Sequence, residues 1–395
     1  MKVLFVHDRC GEQGGAEANV RQSAEGLARR GDDVALLHGE ETTVGIERFR
    51  AAFPTRFAWS AGRDAAVAQA LAWRPDVVYA HKVAEPAVLA AIHAAGARVV
   101  RMVHDHDLYC QRSYRYFPWS RKICTRRAGY ACALTCGVLR ARGGLLPVRL
   151  AWPGRILRGL EQARSAQRLV VASAFMRDEL TLHGFAAERI SVLPIGVRPA
   201  PPEEISVHDQ PLILYVGQLL RGKGIDALLD ACARLPAASP WRLAIVGDGS
   251  HRGGLEADAE RLGLRARVTF HGWMTQEAIA PLYRQARVAA VPSLWPEPMG
   301  MVGPEAMQRA LPVVAFAAGG VREWLDPGVT GELVAWNDRD AYADALARLV
   351  ADRALAERMG RAGLERARAL FTVDAYLDRL RDLLSRESVS RESPA

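Results

Sequence analysis

Glu297 and Glu305 stand eight positions apart in the stretch EPMGMVGPE, whose two glycines and two prolines exclude one continuous helix. Carboxylates held on either side of such a turn can grip polyols, one a ribose and the other a sugar ring, while the glycines leave backbone N–H groups open to a ligand. Upstream, VGQLLRGKGID carries Arg221 and Lys223 on a glycine-flanked loop after a strand-like run. Two cations there can neutralise a diphosphate that departs during a reaction. Near the N-terminus, Gly14 and Gly15 separate an apolar run from a helical pattern, and the unpaired N–H groups of a helix start attract phosphate. A glycine turn at that point serves packing equally well. Together the three features describe a site for an anionic ligand rich in hydroxyls.

Two further clusters have chemistry of their own. HDHD, residues 104–107, offers His104 at the end of a strand-like run, followed by Asp105 and Asp107. Such a carboxylate pair can hold a divalent metal beside a diphosphate, but the cations of the 221–223 loop supply the same charge, so catalysis is expected to need no cofactor. Cys110, Cys124, Cys132 and Cys136 follow with the spacing C-x13-C-x7-C-x3-C. Four cysteines this close can form a tetrahedral structural zinc site, although no C-x2-C pair is present. Unligated thiols, an iron–sulfur cluster and disulfides are the other readings, and a reducing cytoplasm disfavours the last.

These residues need elements that bring their loops to one edge of a sheet. KVLFVH has the pattern of a buried strand, and residues 16–30 that of a helix with Val20, Ala24, Leu27 and Ala28 on one face and Gly31 as its stop; DVALLH resumes as a strand. DVVYAH and RVVRMVH continue the series. After Pro199, Pro201 and Pro202, which mark a stiff connector, LILYVG, RLAIVG, RVTFHG, RVAAVPS and PVVAFA repeat it. The expectation is an α/β chain of two tandem Rossmann-like, doubly wound domains facing a central cleft: residues 1–198, with a basic cysteine-containing insertion at about 108–160, and residues 199–370. Residues 371–395 are expected to form a C-terminal helix, able to pack on either domain, and a polar tail, ESVSRESPA, with the composition of disorder.

At 395 residues, half of them hydrophobic, the chain can bury two cores, and its apolar runs are strand-length rather than bilayer-spanning. MKVLFVHD lacks the layout of a signal peptide, so a cytoplasmic protein is expected. The net charge of +8 is concentrated: residues 111–168 hold thirteen Lys or Arg, among them Arg112, Arg121, Lys122, Arg126 and Arg127, against one acid, Glu161. The same stretch carries Tyr114, Tyr116, Phe117, Trp119, Tyr130 and Trp152. Basic residues mixed with amphipathic aromatics suit an anionic membrane surface or a phosphate-bearing partner; a solvated arginine-rich face is the plainer reading. Nucleic acid is not an expected partner.

GGAEANVRQSAEGLARRGDDVALL, YVGQLLRGKGIDALLDA, IVGDGSHRGGLEADAERLGLRARVTFHGWM and PSLWPEPMGMVGPEAMQRALPVVAFAAGGVREWLDPGVTGELV cover much of the chain. They resemble the retaining glycosyltransferases of family GT4, within the GT-B fold, and EPMGMVGPE is similar to that family's E-x7-E motif. The resemblance implies that Glu305 holds the ribose of a nucleotide-sugar donor, and that Glu297, with the backbone of Gly300, Met301 and Val302, holds the transferred sugar. It implies that Lys223 and Arg221 meet the diphosphate, that Gly14 and Gly15 line the donor site, that Gly272 and Met274 lie on the nucleotide side, and that His104 sits near the donor sugar. His104, Glu297 and Lys223 are the implied catalytic residues. A UDP- or GDP-sugar donor and a lipid-linked or glycan acceptor, in cell-surface polysaccharide or glycolipid synthesis at the cytoplasmic face of the inner membrane, follow from the same likeness. Gln218 departs from the family's usual Arg, with Arg221 expected to replace that cation; Met299 replaces a common Phe, and Ile195 and Arg198 alter the motif around Gly196. The competing readings are an inactive scaffold that binds anionic lipid or nucleic acid, against which Lys223, Glu297 and Glu305 argue, and a sugar-nucleotide epimerase.

Overall fold

A strand buried on both faces of a parallel sheet must be apolar throughout, and the chain supplies such runs at regular intervals between amphipathic helices. The computed structural model describes all residues except 13, 118–119, 137–138, 142–147, 151–152 and 387–395, so the tail ESVSRESPA and part of the 108–160 insertion lie outside the described residues. Two units result, one of residues 1–113, 126–195 and 374–395, the other of residues 114–125 and 196–373.

The strands of the first unit are β1 (Lys2–Cys10), β2 (Asp33–Glu41), β3 (Thr55–Ala58), β4 (Val77–Ala80), β5 (Val99–Val103), the short antiparallel pair β6 (Leu139–Ala141) and β7 (Val148–Leu150), β8 (Arg168–Val171) and β9 (Ile190–Val192). All but β6 and β7 form a seven-stranded sheet in the order β3-β2-β1-β4-β5-β8-β9, with every pairing parallel. In the second unit β10 (Leu212–Val216), β11 (Arg242–Val246), β12 (Val268–Gly272), β13 (Val288–Val291), β14 (Val313–Phe316) and β15 (Gly331–Val334) form a parallel sheet in the order β12-β11-β10-β13-β14-β15. Both are doubly wound. The strand order reverses beside β1 in one unit and beside β10 in the other, and such switch points open a crevice at the carboxyl ends of the strands. Val3, Leu4, Phe5 and Val6 of β1 are completely buried, as their continuous apolar run requires.

The division departs from the sequence expectation in one place. Residues 114–125, expected within the first domain, belong to the second unit. The C-terminal helix, Val373–Ser385, packs on the first unit: the Tyr376 hydroxyl meets Asn19 Nδ2 at 3.0 Å and Ser23 Oγ at 2.9 Å, and Arg381 Nε donates to Asp32 at 2.8 Å. Gly26 allows this contact, since a Cβ there would lie 2.2 Å from Leu377 Cδ1. Leu377, Leu380 and Leu384 are fully buried, each contributing about 1.5–3 kcal/mol.

Candidate active site

The loops that follow β10 and β13 are tied together by backbone contacts. The backbone N–H groups of Leu294 and Trp295 both donate to the Gly222 carbonyl, at 2.9 and 3.0 Å. Gly224 adopts φ +70°, and a Cβ there would lie 1.9 Å from the Pro292 carbonyl oxygen, so only glycine lets the loops approach this closely. Lys223 is thereby delivered to Glu297. Its Nζ donates to Glu297 Oε1 at 2.7 Å and sits 4.7 Å from the centre of the Trp295 ring. Trp295 Nε1 donates to the same oxygen at 2.7 Å and the Ser293 hydroxyl at 2.5 Å. Burial alone would raise the Glu297 pKa, but the Lys223 charge and these donors hold it below the ordinary carboxylate value. The loop after β14 fixes Glu297 from behind: Gly320 N–H donates to the Glu297 carbonyl at 2.8 Å.

Glu305 begins differently placed. It lies in the short helix Val302–Met307, and its carboxylate takes no hydrogen bond among the described residues; burial raises its pKa, opposed by the nearby Arg309. Arg309 is engaged elsewhere, paired with Glu204 at 2.6 Å and lying 4.2 Å from the Tyr283 ring centre. An acceptor left without donors in a half-buried position is chemically suited to a ligand's hydroxyls. Gly300, at φ +79°, turns the backbone between the two glutamates, and the buried Trp324 supports that turn by donating from Nε1 to the Met299 carbonyl at 2.6 Å. Gly272, at φ +73°, ends β12 and leads to Met274, half-buried on the loop beyond.

Residues 114–125 contribute parts the sequence reading missed. This segment turns back on itself through an antiparallel bridge between Tyr116 and Ile123. Arg121 forks onto Asp226, with Nη2 donating to Oδ1 at 3.0 Å, and the same Nη2 donates to the Arg221 carbonyl at 2.7 Å. Tyr114 packs edge-on against Trp295, ring centres 5.6 Å apart, and a Cβ on Gly222 would lie 3.0 Å from the Tyr116 ring. The basic, aromatic strap therefore braces the Lys223 loop. The Arg221 side chain itself is exposed, as is Gln218. No pattern in the sequence couples position 121 to position 226; only the density of aromatic and basic residues marks the segment.

In the first unit, Gly14 is extended and caps the helix Gly15–Arg29, and a Cβ at Gly15 would meet nothing within 4 Å, so space rather than packing surrounds it. His104 follows β5. Its Nε2 lies 2.8 Å from His81 Nδ1, with the rings stacked 5.1 Å apart. Burial, with His7 and Lys82 adding to it, pushes the His104 pKa down to about 3, so the ring is neutral at physiological pH and acts through hydrogen bonds rather than charge. Asp105 and Asp107, the candidate metal ligands, are both held by Lys82 Nζ, at 2.5 and 2.7 Å.

Among the described residues, Cys110, Cys132 and Cys136 of the first unit do not bring their sulfurs together as a metal-binding group. Cys124 lies in the second unit and Cys110, Cys132 and Cys136 in the first. Among the described residues, the one group of three or more His, Cys, Asp or Glu side chains with ligand atoms within 4.8 Å of one another is Cys10, His38 and Glu41. All six cysteines are outside disulfides. Cys124 sits on the strap, where Arg115 Nη1 approaches its sulfur at 3.6 Å. The expectation of a basic membrane-facing segment is likewise narrowed: Arg121 is committed to Asp226, and Arg112 donates to the Cys136 carbonyl at 2.9 Å.

Comparison with known proteins decides the family. The profile of the glycosyl transferases group 1 matches residues 199–366, and that of glycosyltransferase family 4 matches residues 13–200. The chain belongs to the GT4-type glycosyltransferases. Curated relatives include a D-inositol 3-phosphate glycosyltransferase of Xylanimonas cellulosilytica, 37% identical over 221 residues, covering 50% of this chain and 52% of the relative. An alpha-D-kanosaminyltransferase of Streptomyces kanamyceticus is 33% identical over 179 residues, covering 45% of this chain and 46% of its own. The chain thus spans about half the length of the curated relatives it matches. The GT-B fold is shared with the Anabaena HepE, solved with UDP and glucose, at a TM-score of 0.74 and 22% identity, covering 98% of this chain and 99% of that one. WaaG, a glycosyltransferase involved in lipopolysaccharide biosynthesis, aligns at a TM-score of 0.70 and 20% identity over 98% of this chain and 100% of its own. No helix among the described residues of this GT4-type chain is long and apolar enough to cross a membrane.

Proposed function

We propose that this protein moves a sugar from a UDP- or GDP-sugar to a lipid-linked or glycan acceptor, with retention of anomeric configuration, in the synthesis of a cell-surface polysaccharide or glycolipid at the cytoplasmic face of the membrane. The observation that carries the reading is the buried Lys223–Glu297 pair, 2.7 Å apart, at the carboxyl ends of β10 and β13, with Glu305 unpartnered eight positions on. In the transfer, the bond between the sugar's anomeric carbon and the diphosphate oxygen breaks and its electron pair leaves with the diphosphate. The acceptor's hydroxyl oxygen bonds to that carbon, and its proton passes to the departing phosphate. Lys223 and Arg221 stabilise the charge that develops on the diphosphate, a contribution of the size of an oxyanion-hole donor, about 3–4 kcal/mol. Glu305 accepts from the ribose hydroxyls. Glu297 and the backbone of Gly300, Met301 and Val302 hold the sugar, and Gly272 and Met274 border the nucleotide. The names of the relatives and the UDP ligands of HepE support the donor class.

Incubation with a panel of UDP- and GDP-sugars, with donor loss and nucleoside diphosphate release followed by mass spectrometry, tests the reading. Turnover of one donor, abolished in Lys223→Ala, is expected. A protein that neither binds nor consumes any of the donors would overturn it in favour of the inactive scaffold, and a donor converted to an isomeric nucleotide sugar would make it an epimerase.

A further inference from the structure

Arg101 lies in the middle of β5, a central strand of a parallel sheet, where a charged side chain is costly unless paired. Its guanidinium makes no hydrogen bond or ion pair with any described residue. Burial lowers its pKa to about 10, offset only by the through-space attraction of Asp8. Arg101 lines a cavity of about 550 Å³ in the first unit, walled by Asp8, Lys82, His104, Asp105 and Asp107 among others, with Arg158 exposed at its edge.

Among the other charges in this cavity, Lys82 and the three aspartates are engaged. Lys82 is shared between Asp105 and Asp107. Both oxygens of Asp8 accept from the Ala84 N–H, at 2.8 Å. Arg101 therefore presents a planar fork of donors to a space large enough for a sugar, and such a fork matches phosphate and carboxylate oxygens. His104, the residue expected beside the donor sugar, is on the wall of the same cavity. We propose that this cavity is the acceptor site and that the acceptor carries an anionic group, a phosphate or a carboxylate, gripped by Arg101. The inference rests on the transferase reading for the word acceptor, while the anion site stands on Arg101 alone.

The test is calorimetric titration with glucose 6-phosphate, glucuronate and glucose, on wild type, Arg101→Met and Lys223→Met, the last because the diphosphate loop also attracts phosphate. The anionic sugars should bind wild type at least tenfold more tightly than glucose, lose that advantage in Arg101→Met and keep it in Lys223→Met. Vesicles of phosphatidylcholine with and without phosphatidic acid separate the sources: Arg101-dependent binding to the acidic vesicles points to a lipid phosphate, and binding of the soluble sugars alone points to an acidic glycan or sugar phosphate. Because an unpaired charge is removed, Arg101→Met should melt no lower than wild type. Equal binding of glucose and the anionic sugars, or loss of binding in Lys223→Met but not in Arg101→Met, overturns the proposal. So does a marked fall in melting temperature in both Arg101→Met and Arg101→Gln, which would assign the guanidinium a structural role. A parallel titration with UDP and GDP keeps the two readings apart: anion binding at Arg101 without nucleotide binding removes the transferase and leaves an anion site, and the converse removes only the present inference.

Discussion

Lys223 is expected to do two jobs that a single pair of substitutions separates. In the ligand-free protein it neutralises Glu297, whose side chain is 6% exposed against 19% for Lys223. Removing one partner of a buried pair typically costs about 3–5 kcal/mol. Here Ser293 and Trp295 still donate to the carboxylate, which places Lys223→Met near the lower end, about 3 kcal/mol. For a unit of this size each kcal/mol moves the melting temperature by about 2–4 °C, so a fall of about 6–12 °C is expected. Glu297→Gln should cost less, about 1–2 kcal/mol, because the amide oxygen can still accept from Trp295 while the partly exposed ammonium turns to water. Its effect on ligands should run the other way: with its competitor gone, Lys223 is available to the diphosphate. Nucleoside diphosphate affinity should then rise about threefold to tenfold, about 1 kcal/mol, while sugar transfer falls. Thermal melts and calorimetric titration of both variants and the double variant measure the coupling. A Lys223→Met protein that melts like wild type, or a Glu297→Gln protein that binds the diphosphate more weakly, would refute the idea that this ion pair is exchanged for the ligand.

Arg121→Ala should lose about 1.5–3 kcal/mol, the worth of hydrogen bonds to a charged group, and weaken nucleoside diphosphate binding through the loosened 221–224 loop; Arg121→Lys, which lacks the fork, should recover only part of the affinity in the same titration. Acid should destabilise the first unit early. The folded-state pKa values of His7, His81 and His104 are all depressed by burial, so the unfolded chain binds more protons below about pH 6.5, and stability should fall from there towards the folded-state values by up to about 1.4 kcal/mol per pH unit for each histidine. Denaturant melts at pH 7, 6 and 5 check the slope, and a flat profile would show that these rings titrate normally. Gly26→Ala should cost about 1–3 kcal/mol by forcing Leu377 off the first helix, seen as earlier release of the C-terminal helix in hydrogen exchange.

The doubly wound architecture was legible because its cause is local. KVLFVH and LILYVG are apolar at consecutive positions, which only a strand covered on both faces permits, and the helices between them announce their buried faces by spacing. Glu297 and Lys223 were legible for a related reason: each stands on the loop that follows such a strand, where the fold gathers its loops, and Glu305 lies in the short helix after the loop of Glu297. The pairing of Lys223 with Glu297 was not, because it depends on a contact between the ends of β10 and β13 that Gly224 permits and no spacing encodes. Arg101 was hidden by its neighbours, since VVRMV has the composition of a buried strand and one arginine in it carries no periodic signal.

The segment from 111 to 168 shows where composition misleads. Thirteen basic residues around six aromatics suggested a surface for an anionic partner, and charge density alone cannot tell a solvated arginine from one that is spent inside the fold. Arg121 is spent: its fork on Asp226 and on the Arg221 carbonyl makes residues 114–125 part of the unit that carries Lys223. Asp226 opens the helix Ile225–Cys232 directly after that loop, so a bidentate contact there fixes the loop's end and the helix's start at once. The aromatic residues serve the same purpose, with Tyr114 and Tyr116 set against Trp295 and Gly222. What looked like a separate module for docking is, in residues 114–125, a brace for the loop that carries Lys223, and any attraction to acidic lipid has to come from the cations this brace leaves in solvent, such as Lys122.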